Sequence, residues 1–100
     1  MLERLRKFID ERGIIQQKLG DPSLDPSQYK DLGRRLRALE NIVQLASELE
    51  NIEKTIKDSR EILSAEKDSE IREMAEQDLN SAEQRKPKLL EEIQLELLPK

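Results

Sequence analysis

Between Tyr29 and Leu63, apolar residues recur at steps of three and four, with one gap between Ile56 and Leu63. Leu32, Leu36, Leu39, Val43 and Ala46 make one row, and Ile42, Leu45, Leu49, Ile52, Ile56 and Leu63 make the next. That spacing places both rows on one side of a single long amphipathic helix. At the rise of an α-helix the stretch spans roughly 50 Å, more than the width of a small globule. Such a helix cannot bury its own stripe, so the remaining chain must lie along it. The fold class that follows is all-α: an antiparallel three-helix bundle, or long helical hairpin, with a shorter N-terminal helix packed at its base.

Composition agrees with this reading. Charged residues make up 40% of the 100-residue chain and aromatics 2%, so the core is aliphatic and every helix keeps a wet side. High charge alone would also suit a disordered chain, but sustained periodicity argues for order. With no Cys and no His, disulfides, thiolate metal sites, cysteine nucleophiles and Ser-His-Asp triads are excluded. No apolar run approaches the ~18 residues of a membrane span, and charges rather than a signal-peptide core follow Met1. The expected location is therefore cytoplasmic, with no membrane partner.

The helices are expected at about 2–19, 26–64 and 69–98, forming one helical domain over 1–100. On the first, Leu2, Leu5, Phe8, Ile9, Ile15 and Leu19 form the apolar side, and Arg6/Asp10 and Lys7/Glu11 have the spacing of intrahelical ion pairs. Gly13 lies inside it as a candidate bend, and Gly20 with Asp21-Pro22 supplies a stop. Asp25 is the expected N-cap of the second helix, with Pro26 as its first residue and Leu24 as a staple. Glu50/Lys54 and Glu53/Lys57 are spaced to pair along its exposed side. Asp68 or Ser69 caps the third helix, whose stripe is Ile71, Ala75, Leu79, Ala82, Leu89, Ile93 and Leu97. A short connection makes the second and third helices antiparallel neighbours.

Two features disturb the third helix. Pro87 removes one backbone hydrogen bond and crowds the Glu83 carbonyl, which predicts a kink. Asp78, Arg85 and Lys86 share a face with the stripe, and the expectation is that the basic stems cover the seam while their charges reach water. Near the end, Leu90, Leu95 and Leu98 point away from Leu89, Ile93 and Leu97, so more than one side of the helix is apolar there.

No active site emerges. Every carboxylate has a solvated helix face as its first explanation, and acid–base work needs a desolvating pocket. The three glycines, Gly13, Gly20 and Gly33, are too scattered to cradle a phosphate. Clustered carboxylates such as Glu91 and Glu92 give no support for a metal, so no catalytic residue, metal, cofactor or small-molecule substrate is expected. Net charge is −4, with nine basic and nine acidic residues in 1–50 but nine and thirteen in 51–100. Arg34 and Arg37 lie opposite the Leu32/Leu36/Leu39 stripe with Arg35 on its flank, a candidate RNA or ribosome contact set against an ordinary solvated face. Residues 61–83 carry eight acidic and two basic residues, so the hairpin tip is acidic and suited to a basic protein surface rather than to nucleic acid.

The run Asp68 to Leu79, DSEIREMAEQDL, followed by LLEEIQLELLPK from Leu89 to Lys100, resembles the N-terminal domain of bacterial-type class I peptide chain release factors, and more closely the type reading UAA and UAG. Asp68, Ile71, Arg72, Glu73, Met74, Ala75 and Leu97 to Lys100 carry the likeness; Pro87 departs from the family's unbroken helix. The resemblance implies a helical, ribosome-docking fragment of a termination factor, facing the ribosomal stalk base and influencing cooperation with the GTPase release factor. It also implies that downstream domains of the same chain hold the Gly-Gly-Gln and the codon-reading tripeptide, neither of which occurs here, so these residues are not themselves an enzyme. Two competing readings are a helical-hairpin tRNA-binding arm, as in a seryl-tRNA synthetase, and a self-associating coiled-coil scaffold. An acidic tip argues against the first, and the short first helix with Pro87 argues against the second.

Overall fold

The computed structural model describes residues 1–99, so Lys100, the last residue of the Leu-Leu-Pro-Lys ending, lies outside the described residues. It contains α1 (Leu2–Leu19), α2 (Pro26–Ala65) and α3 (Ser69–Glu96), with no strand among the described residues. The all-α class stands. No helix is long and apolar enough to cross a membrane among the described residues. The chain divides into two compact units, and the division falls inside α2, between Ala46 and Ser47.

The first unit pairs α1 with the opening half of α2. Its connection is a turn in which the Leu24 N–H donates to the Asp21 carbonyl at 3.2 Å and Pro22 pre-sets the bend. The Ser23 N–H and hydroxyl both donate to Asp21 Oδ1, at 2.9 and 2.8 Å, which locks the turn. Those two bonds, the backbone one foremost, hold the Asp21 carboxyl below its ordinary value. Gly20 ends α1 in a right-handed conformation, φ −80° and ψ −6°. The helix is thus stopped by the proline turn and not by a left-handed glycine. Asp25 precedes α2: its carbonyl accepts from the Tyr29 N–H at 2.9 Å and its carboxylate from the Ser27 hydroxyl at 3.0 Å. Leu24, half-buried, shares a shallow cleft of about 420 Å³ with Tyr29 rather than being sealed against it. Leu5, Ile15, Leu39, Ile42, Val43 and Ala46 are the buried apolar residues of this unit. α1 runs unbroken through Gly13, where an added Cβ would meet nothing within 4 Å.

The second unit is the antiparallel hairpin of the rest of α2 with α3. Asp68 caps α3, its Oδ1 accepting from the Glu70 and Ile71 N–H groups at 3.0 and 3.2 Å. α2 has no basic residue in its last turn, and Arg72 of α3 takes that place. Its Nη1 donates to the Leu63 and Glu66 carbonyls at 2.7 and 2.9 Å. Carbonyls left over at a helix C-terminus need such donors, and a positive charge suits that end of the helix dipole. Leu49, Ala75, Ala82, Leu89 and Ile93 are buried, with Ser59 as the buried polar residue.

α3 continues through Pro87, which sits exposed within the helix. It stops at Glu96, two residues before the expected 98. Pro99 disfavours helical backbone at the residue before it, and the Leu98 N–H accordingly turns back to the Leu95 carbonyl at 3.3 Å.

Candidate docking surfaces

The three arginines singled out by sequence are all exposed, but they are not equivalent. Arg35, on the flank of the α2 stripe, reaches α1: its Nε donates to Glu11 Oε1 at 2.6 Å and its Nη2 to Oε2 at 2.9 Å. This fork-to-carboxylate geometry is the strongest form an ion pair takes. It holds the Glu11 carboxyl below its ordinary value and the Arg35 guanidinium above its own, hydrogen bonding being the main cause in each. Lys7, the sequence-expected partner of Glu11, sits instead over the Phe8 ring, 5.1 Å from its centre. Arg34 and Arg37 take part in none of the ion pairs of the described residues. Arg37 folds back along α2, with Nη1 3.8 Å from where a Cβ on Gly33 would stand. The basic patch is therefore two arginines wide, the third being occupied in joining α1 to α2.

At the turn of the second unit, the family-like run separates into two roles. Asp68 and Arg72 build the turn, whereas Ile71 and Met74 are 44% and 66% exposed. They lie three residues apart on α3 and so share a face. Ile62, near the end of α2, is also exposed. Glu61, Glu70 and Glu73 lie among them in sequence and are exposed as well. Exposed aliphatic residues among carboxylates fit a partner that is apolar at its centre and basic at its rim.

Sequence reasoning missed a third constellation. Arg85 donates to Glu48 of α2 through Nε at 2.7 Å and Nη2 at 3.2 Å. It also donates to Glu92 of its own helix at 3.1 and 3.0 Å. Lys86 Nζ lies 3.6 Å from Glu53, and Arg60 bonds Glu83 at 3.0 Å. The charges over the seam thus meet carboxylates while still reaching water, each of these side chains being more than a third exposed. Glu53 turns to Lys86 instead of Lys57, and the other intrahelical pairs expected at Arg6/Asp10 and Glu50/Lys54 do not close either among the described residues. Arg85 lowers the Glu48 carboxyl, and both carboxylates together raise Arg85. A signal was present: an arginine and a lysine on an otherwise apolar face need acidic partners across the seam.

These pairs predict the pH dependence. Glu11 and Glu48 have folded values below the ordinary 4.5, so their pairs contribute fully above that value. The contribution is lost as pH falls through the lowered values. Each pair is more than a third exposed and solvent screens it, so each effect is small. Thermal melts should show a midpoint that is level from neutrality to about pH 5 and then declines, with a shallower decline in the E11Q/E48Q variant. An equally steep decline in that variant would show that the pairs contribute nothing.

No group of three or more His, Cys, Asp or Glu is placed to hold a metal ion among the described residues. The PCRF domain family matches residues 9–100. Peptide chain release factor 1 of Acidobacterium capsulatum is 34% identical over 102 residues, covering 100% of this chain and 28% of that protein. The proteins of the same name from Clostridioides difficile and Deinococcus deserti are 35% and 36% identical, over 29% and 27% of their lengths. The chain thus spans less than a third of the curated relatives it matches. No solved structure matches it.

Proposed function

Since this chain belongs to the PCRF domain family, we propose that it acts in translation termination, as a helical ribosome-docking part of a class I peptide chain release factor of the UAA- and UAG-reading type. The observation carrying this reading is the family match over residues 9–100, joined to relatives aligned along the whole chain and named peptide chain release factor 1. In this role residues 1–100 do no chemistry. Stop-codon reading and promotion of peptidyl-tRNA hydrolysis belong to downstream domains of the factor, and its place of action is the cytoplasm.

The ribosome is the principal partner, approached near the stalk base, with the GTPase release factor sensitive to how this part is seated. Two surfaces support docking. The exposed Ile62, Ile71 and Met74 among acidic residues suit a basic protein surface, and Arg34 and Arg37 suit RNA phosphates. An acidic hairpin tip makes a tRNA-binding arm the poorer reading, because phosphates would be repelled there.

The test is replacement of the matching segment of the Clostridioides difficile release factor 1 by this chain. The chimera should bind ribosomes paused at UAA and release peptide. A well-folded chimera that does neither would overturn the proposal. Within it, R34E/R37E should weaken ribosome binding by about tenfold, with a reduced salt dependence. Arg35 is left in place so that its bond to Glu11 persists. Unchanged binding would remove these two residues from the interface while leaving the family role to the chimera itself.

A further inference from the structure

We infer that Pro87 is a joint in α3 and that Arg85 is the latch that holds it closed. A proline inside a helix leaves the carbonyl four residues back, here that of Glu83, without its backbone donor, and its ring crowds that carbonyl. The ladder is thereby weakest in the turn around Pro87, and the proline lies on the exposed side of the helix. Arg85 stands two residues before it. One guanidinium bonds Glu92, seven residues on and beyond the proline, while also gripping Glu48 on α2. The bond to Glu92 therefore spans the weakened turn, and the bond to Glu48 ties that span to the neighbouring helix. Lys86 and Glu53 add a looser contact at 3.6 Å beside it.

Leu89 and Ile93, both fully buried, anchor α3 on its inner side just past the proline. Opening is thus a local loosening of the outer turn, not release of the helix end. The side chains that close it are ionic and 36% to 46% exposed. A closure made this way is screened by salt and open to competition from any anion that takes the guanidinium. A wholly apolar seam would respond to neither.

Amide hydrogen exchange on the whole chain reads this directly, through the N–H groups of Lys88 to Glu91, whose helical acceptors are the carbonyls of Gln84 to Pro87 in the turn that ends at the proline. R85M keeps an apolar stem on the seam and removes the charge. It should speed exchange at those amides roughly three- to tenfold, while amides of α1 stay unchanged. Salt near 1 M should do the same to the unaltered chain and nothing further to R85M. In P87A/R85M the acceleration should vanish, because an intact ladder needs no latch. The inference is overturned if R85M leaves exchange unchanged, if it accelerates exchange throughout the chain, or if the acceleration persists without the proline.

Discussion

Replacing Pro87 by Ala should raise the unfolding free energy by about 2 kcal/mol and the melting midpoint by roughly 8–16 °C. Proline within a helix is about 3 kcal/mol less favourable than alanine. Part of that deficit is already relieved where a helix has adapted to the ring, which brings the expected gain below the full value. The replacement restores a donor to the Glu83 carbonyl and removes the ring that crowds it. Pro87 is exposed, so the smaller side chain leaves no cavity to offset the gain. Circular dichroism melts of the two proteins settle the matter. A lower midpoint for P87A would mean that the proline fits a backbone path which alanine does not favour.

Two residues further along, the sign reverses. Leu89→Ala should cost about 3 kcal/mol, within the ~2–5 kcal/mol seen when a buried leucine is truncated. Leu89 is 0% exposed, so its apolar area is lost from the core and a cavity remains. Against a total stability of ~5–15 kcal/mol for a chain of this size, that is a large fraction, and urea unfolding should show a clearly lower midpoint. Leu95→Ala provides the comparison. It removes the same atoms from a side chain that is 67% exposed, and should change stability by less than ~0.5 kcal/mol. Equal losses at both positions would mean that Leu95 is covered in solution.

Much of the architecture could be read from the residues. Helix starts were clear because their chemistry is local: Pro26 after Asp25, and Asp68 within reach of the Glu70 and Ile71 N–H groups. The end of α3 falls two residues before the point the apolar pattern suggests, because that pattern continues to Leu98 while Pro99 disfavours helical backbone at the residue before it. The stop of α1 at Gly20 with Asp21-Pro22 is legible too, although the right-handed backbone of Gly20 shows that the proline turn, not a left-handed glycine, completes it. Of the arginine cluster, position and exposure were foreseeable, but not that Arg35 would be taken by Glu11, a residue 24 positions away.

The residues by themselves determined the helical class, the places where helices begin, the aliphatic composition of the core and the family likeness at Asp68 to Leu79. All of these rest on neighbours within a turn or two, where spacing and capping act. Only the tertiary structure decided where the long charged side chains end. Glu11, Glu53 and Arg85 each passed over or added to what their own helix offered and reached across to another. An intrahelical pair contributes only a few tenths of a kcal/mol. So weak a preference yields once packing brings a partner from a neighbouring helix within ion-pair distance.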